Sequence, residues 1–251
     1  MKAAFTGDFR ERRLPLETLI SELTAWYDKF YETLIETGYY KMLIEGLKNT
    51  LTITAGALAI GVILGTVIAL AKYFCDGVPA LKPVVFLCDT YVTVIRGIPV
   101  VVLLLIFYYV IMKSTDSGVT VGIVTFGINS GAYMAELIRG GINSVDIGQM
   151  EAGRSLGMSK LQAMYKVVMP QALRYILPAI GNEFIALLKE TSVAGYVAVR
   201  DVTKAGDLIR NITYDALNPL MVVALTYLVL VMILSQLLKT FERRLNRVDN
   251  H

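Results

Sequence analysis

Apolar residues gather into runs long enough to cross a bilayer. Thr50 to Ala71 holds 22 residues without a charge, Ser117 to Ala135 holds 19, and Ala216 to Leu238 holds 23. Gly97 to Met112 is shorter, at 16, but dense in Val, Leu, Ile and aromatics. A membrane span needs about 20 mostly apolar residues. Burying four such helices in a soluble protein would take more polar chain than is present.

Other segments alternate. Leu16, Leu19, Ile20, Leu23, Tyr27, Phe30, Tyr31 and Leu34 recur at three- and four-residue spacing, with Glu17, Glu22, Asp28, Lys29, Glu32 and Glu36 between them. This predicts a helix with one apolar and one acidic face within residues 14–45. It lies along the membrane surface, against the bundle, or on a soluble partner. Gly61-x-x-x-Gly65 in the first run allows close helix contact. Residues 83–96 are apolar with Asp89 and Arg96 inside, and run beside or just into the membrane.

Charge sets the expected topology. Residues 139–174 carry Arg139, Arg154, Lys160, Lys166 and Arg174, and the tail carries Lys239, Arg243, Arg244 and Arg247. Both segments read as cytoplasmic. An even number of crossings must separate them, yet only 216–238 is obvious. A second crossing is therefore expected within residues 175–200, although Glu183, Lys189 and Glu190 interrupt it. Such charges are tolerated facing a bundle interior or a water-filled cavity. The fold class expected is an all-α integral membrane protein with five spans, at about 50–71, 97–112, 117–138, 175–197 and 216–238. The N-terminus is outside and the C-terminus cytoplasmic. One transmembrane domain, 46–240, contains the cytoplasmic loop 139–174. A helical extension, 1–45, precedes it and a tail, 241–251, follows it.

Composition agrees. The chain is 55% hydrophobic and 18% charged, against about 25% charged in soluble domains, and its mean hydropathy is +0.57. The first 13 residues hold Lys2, Asp8, Arg10, Glu11, Arg12 and Arg13 and no apolar core, so no cleavable signal peptide is read there. The net charge of +3 fits basic flanks of spans better than nucleic-acid binding. Cys75 and Cys88 read as unpaired thiols. With the single His251, they are too few for a tetrahedral metal site.

The large polar loop has a distinctive order. Glu151-Ala152-Gly153-Arg154-Ser155-Leu156-Gly157 is followed by nine residues and then Val167-Val168-Met169-Pro170. This reads as a short amphipathic helix, a Gly able to break it at positive φ, and a second apolar helix. Pro170 and Pro178 punctuate the approach to the next span. A helix–Gly–helix between two spans is a projecting knob, able to pass force from a soluble partner to the bundle.

The loop resembles the "EAA" loop of the transmembrane subunits of ABC importers, whose pattern is E-A-A, three residues, G, nine residues, I-x-L-P. Glu151, Ala152, Gly157 and Pro170 match in register. Gly153 replaces the third Ala, and Val167 and Met169 replace Ile and Leu. More of the chain is similar to the polar amino acid permeases. Their R-G-T-P pattern stands here as Arg96-Gly97-Ile98-Pro99, leading to Phe107-Tyr108-Tyr109. Their A-Y-x-x-E-x-x-R-G-G pattern stands as Ala132-Tyr133 through Glu136 and Arg139 to Gly141. Their N-E-F pattern stands as Asn182-Glu183-Phe184, followed by Leu187-Leu188-Lys189-Glu190-Thr191-Ser192. The resemblance covers residues 39–245 and leaves the N-terminal extension unexplained.

That resemblance implies an ABC type I importer permease fold in a bacterial inner membrane. Two permease subunits, identical or related, would pair above two ATPase subunits. An extracytoplasmic binding protein would deliver an amino acid. Glu151, Ala152, Gly153, Arg154, Gly157, Met158 and Pro170 would couple to the ATPase. The chain has no Gly-rich phosphate loop ending in Gly-Lys-Ser/Thr, so ATP-Mg belongs to the partner. No cofactor, metal or catalytic residue is expected on this chain.

Two polar stripes are candidates for the path. Asn129, Tyr133 and Glu136 share one face of the third span, at offsets of four and seven. Glu183 and Glu190 share a face of the fourth, with Asn182 and Lys189 beside them. An amino acid needs acceptors for its ammonium and donors for its carboxylate, and Asn129, Tyr133, Asn182, Glu183 and Lys189 supply both. The same charges could instead pair across helices. Arg96, Gly97, Pro99, Glu136, Arg139 and Glu190 read as structural or gating. A permease for a metal chelate, a peptide or an anion is an alternative. A self-contained secondary transporter or channel would need its own ion site and usually internal repeats, and no second copy of any segment is seen.

Overall fold

A computed structural model of the protein describes residues 16–247. The charged segment 1–13 and His251 lie outside the described residues. Every described element is helical. The chain forms two units, residues 1–41 and 42–251. In the first, α1 (Leu16–Tyr31) ends in a single π turn, Glu32–Glu36. Its aromatics pair at one-turn spacing, Trp26 with Phe30 at 5.5 Å and Tyr27 with Tyr31 at 6.4 Å between centroids.

α2 (Tyr40–Cys75), nearly all of it in the second unit, runs 36 residues without a proline. α3 (Lys82–Gly97) ends where Ile98 is extended, at φ −101° and ψ 130°. The proline that follows disfavours the helical region for Ile98. Pro99 then opens α4 (Val100–Ile106), which continues as a π turn, Phe107–Ile111. The two halves meet at 103°. The sequence starts a span near Gly97; the structure ends one helix there and begins another at Val100.

α5 (Gly118–Asn143) is the central helix. Ser117 caps it, its hydroxyl accepting from Thr120 N at 3.2 Å. Its most apolar window is 67% buried, against 6% for α10 (Leu217–Arg247). α2 lies against α5 so closely that a Cβ at Gly65 would sit 2.4 Å from Met134 Cβ, and one at Gly61 2.8 Å from Ser130 Oγ. Small residues at i and i+4 permit this approach.

Among the described residues, three helices are long and apolar enough to cross a membrane: Tyr40–Cys75, Gly118–Asn143 and Leu217–Leu245. The bent pair α3–α4 makes a fourth candidate. α8 (Met169–Glu190), which carries Glu183, Lys189 and Glu190, has 22 residues, about 33 Å of helix. A 3-10 segment, Thr191–Val197, follows and ends at Ala198 in the left-handed region.

α9 (Val202–Thr213) is amphipathic and clasped to α2. Asn49 Nδ2 donates to Arg200 O at 2.9 Å, Val202 N donates to Thr50 Oγ1 at 3.3 Å, and Arg200 pairs with Glu45 at 3.1 Å. Asp201 is fully buried and caps α9, accepting from Thr203 N at 2.9 Å and Lys204 N at 3.1 Å. Burial pushes its carboxyl above the usual carboxylate range, against the pull of those amides. The native state therefore holds this proton more tightly than the unfolded chain. The group favours folding increasingly as pH falls toward its unfolded value of about 3.9.

Asp201→Ala should cost about 1 kcal/mol or more through the lost cap. Asp201→Asn, which keeps an acceptor, should cost less and should remove this group's part of the pH dependence. Thermal unfolding of the purified protein at several pH values checks both.

Candidate coupling loop and polar pathway

The loop's first helix is α6 (Ile147–Ser155). Asp146 caps it, accepting from Gly148 N at 2.7 Å. It stops at Gly157, whose φ is +84°. Met158 N donates to Gly153 O at 3.2 Å and Gly157 N to Arg154 O at 3.0 Å. These two bonds are the Schellman pattern, which satisfies the last carbonyls and favours Gly at the left-handed position. Ser159 and Gln162 then form a capping box that starts α7 (Lys160–Ala163).

The second helix differs from the sequence reading. α7 passes through a π turn, Met164–Val168, straight into α8. Met169 stays helical although Pro170 follows it. Pro170 stands just after the π turn, in helix that is continuous on both sides of it. It therefore does not interrupt the chain between loop and α8. Pro178 lies inside α8, where Asn182 Nδ2 donates to its carbonyl at 3.1 Å.

Gly153 is buried between the two loop helices. A Cβ there would lie 3.1 Å from Ala163 Cβ and 3.5 Å from Val167 Cγ2. Glu151, Ala152, Arg154 and Gly157 are exposed, and Met158 is half-buried. Leu156, Leu161 and Tyr165 are exposed by 80%, 65% and 76%, so the loop presents an uncovered apolar edge.

The loop is keyed to the bundle. Met164 and Val168 share a core with Ala69, Ile138, Ala172 and Ile176. Lys160 Nζ donates to Tyr73 O at 3.4 Å and lies 5.0 Å and 5.6 Å from the ring centroids of Tyr73 and Phe74. Sequence reasoning missed this clamp, which joins residues 87 positions apart. The capping box was readable, because Ser-x-x-Gln marks a helix start.

The polar stripes separate into two sites. In the first, Ser130 Oγ donates to Glu183 at 3.1 Å, joining α5 to α8. The Arg96 guanidinium lies 5.0 Å from the Tyr133 ring and acts electrostatically on Glu183. Asn129, next to Ser130, is buried. Ser130 was missed, for nothing in its own segment marks it. Asn182 and Lys189 are exposed. Glu190 interacts electrostatically with Glu183 and Lys189.

In the second, Arg139 grips Glu136 with two bonds, at 3.3 Å and 2.7 Å. Lys72 reaches Glu136 at 3.7 Å and pairs with Asp89. Four charges thus tie α2, α3 and α5 beside a cavity of about 560 Å³ that also meets Asp76 and Lys160. Lys72 and Asp89 were not singled out from sequence. Gly97 and Pro99 stay at the exposed break. Cys75 and Cys88 are free thiols. Among the described residues no cluster of three His, Cys, Asp or Glu could hold a metal ion.

A family described as "Binding-protein-dependent transport system inner membrane component" matches residues 61–247. The arginine transport system permease protein ArtQ of Bacillus subtilis (strain 168) is 36% identical over 210 residues, covering 82% of this chain and 94% of that one. The glutamine transport system permease protein GlnP of Escherichia coli (strain K12) is 36% identical over 208 residues, covering 81% and 93%. A crystal structure of an amino acid ABC transporter with histidines superposes with a TM-score of 0.77 at 42% identity, covering 84% of this chain and 97% of that one. An inward-facing structure of the MetNI methionine ABC transporter gives 0.73 at 21% identity, covering 82% and 97%, a likeness of fold.

Gly153→Leu should force the loop helices apart. Overpacking of this kind costs about 1–3 kcal/mol. Limited proteolysis should cut the variant faster between residues 150 and 165 than the unaltered chain.

Proposed function

This chain belongs to the family of binding-protein-dependent transport system inner membrane components, and from that membership we propose how its loop and polar residues work in an ATP-driven amino acid importer. The chain is a permease subunit, and the relatives it matches over nearly their whole length are amino acid permeases. It has ABC type I permease architecture. ATP hydrolysis lies in partner subunits.

Two permease subunits pair in a bacterial inner membrane, with two ATPase subunits, which carry ATP-Mg, on the cytoplasmic side. An extracytoplasmic protein delivers the amino acid. Each subunit crosses five times, with α8 as the crossing that composition alone does not reveal. Its length and its hydrogen bond to central α5 support this count, as does the parity of the basic segments. No role in transport is assigned to the 1–45 extension.

The observation that carries the coupling role is the loop's construction. α6 is stopped by Gly157, and the loop as a whole exposes Leu156, Leu161 and Tyr165 and is keyed through Met164 and Val168 to the ends of α2 and α5. Glu151, Ala152, Gly153, Arg154, Gly157 and Met158 form the part an ATPase cleft grips. Pro170 lies where the loop becomes α8. Pulling on α6 then moves α8 through the packing of Gly153 on Ala163 and Val167, because α7 runs into α8 without a break.

Glu183 serves the path by accepting the ammonium of a passing amino acid, with Tyr133 and Asn129 contributing from α5. Ser130 holds its carboxylate in place, which supports this role. The exposed Asn182 and Lys189 contribute along the same helix. Arg96, Gly97, Pro99 and the Glu136–Arg139 pair act as structural and gating elements, and Glu190 tunes the charge near Glu183.

Glu183→Ala in the assembled complex, reconstituted in vesicles, should lower ATP-driven uptake of radiolabelled amino acids at least about tenfold, or about 1.4 kcal/mol of barrier. Unchanged uptake would remove Glu183 from the path. Gly157→Asp places a side chain at positive φ on the gripped surface. It should abolish amino-acid-stimulated ATPase activity or release the ATPase on purification. A stoichiometric, stimulated complex would refute the coupling role.

A further inference from the structure

α10 is the least covered of the three long apolar helices among the described residues. Leu217 to Leu238 has 22 residues and no charge, about 33 Å of helix, which matches a hydrocarbon core of about 30 Å. Almost none of its apolar window is covered by the rest of the chain. Met221, Leu225, Val229 and Met232 are all exposed and follow one another at four-, four- and three-residue steps along one line.

The line does not stop at the end of the apolar run. At about 100° per residue, Lys239 and Arg243 fall within about 40° of the direction of Leu225. Both are exposed, as is Arg244 beside them. The helix is unbroken through this point, so two cations one turn apart stand directly beyond the apolar ladder. Glu242, the acidic residue among them, turns to another side and lines a cavity with Ser144, Arg174 and Tyr175.

We propose that this face of α10 is a binding site for an anionic phospholipid of the bilayer. An acyl chain lies along Met221, Leu225, Val229 and Met232, and the phosphate diester sits between Lys239 and Arg243. Length and register place the cations at headgroup depth, where basic residues attract anionic lipid. A zwitterionic lipid offers the same acyl chains but no net charge to these cations. The proposal depends on α10 crossing the membrane and not on the identity of the cargo.

The test uses the purified complex in detergent with equimolar phosphatidylglycerol and phosphatidylcholine, read by native mass spectrometry. The unaltered complex should retain phosphatidylglycerol about fivefold or more over phosphatidylcholine, and excess inorganic phosphate should not displace it. Lys239→Gln with Arg243→Gln should bring the ratio to within about twofold, and Arg243→Lys should restore most of it when Lys239 is kept. Equal retention by the unaltered complex overturns the proposal without recourse to any variant. So does a preference that survives the double change, or a face closed to both lipids by a protein subunit. Amino-acid-stimulated ATPase activity in the same preparation tests the transport reading separately.

Discussion

α2 and α5 touch with almost nothing between their backbones, and the rest of the bundle is arranged around that contact. Gly61 and Gly65 leave room for Ser130 and Met134, which larger side chains would push away. In a bilayer such close packing replaces the hydrophobic drive that holds soluble helices together. The contact also places chemistry. Ser130, lodged against Gly61, is the residue that donates to Glu183. One side of α5 is thus fixed to α2 while the other holds a carboxylate on α8.

A second consequence is mechanical. The loop helices share a core with the ends of α2 and α5, and the chain stays helical from Lys160 to Glu190. Pro170 and Glu183 are 13 residues apart on one helix, about 20 Å. Lys160 and Glu183 are therefore joined by one continuous stretch of helix. The four-charge cluster of Lys72, Asp89, Glu136 and Arg139 joins three helices.

The opposite end of the bundle is held differently. The stretch between α8 and α9 is short of regular helix, and Ala198 adopts a left-handed conformation without being Gly. Its neighbours compensate by bonding to α2 through Asn49, Thr50 and Glu45. A strained residue persists where surrounding bonds over-determine it.

The sequence by itself determined the class of fold, the uncharged runs, the helix–Gly–helix loop and the family. Each is written in local terms: hydrophobic run length, a Gly at the end of a short helix, a motif with constant spacing. It also marked Tyr133 and Glu136 by their offsets along α5, and Glu183 by its offset from Glu190 along α8. Only the tertiary structure decided which of them meet. Ser130 bonds Glu183 across 53 positions, Lys160 reaches Tyr73 across 87, and Arg200 pairs with Glu45 across 155. The 103° angle at Ile98–Pro99, a break that Pro99 favours locally, and the helix that continues through Met169 were likewise visible only in the structure. Periodicity reports which face of a helix a residue occupies, but which neighbour that face meets depends on how helices remote in sequence come together.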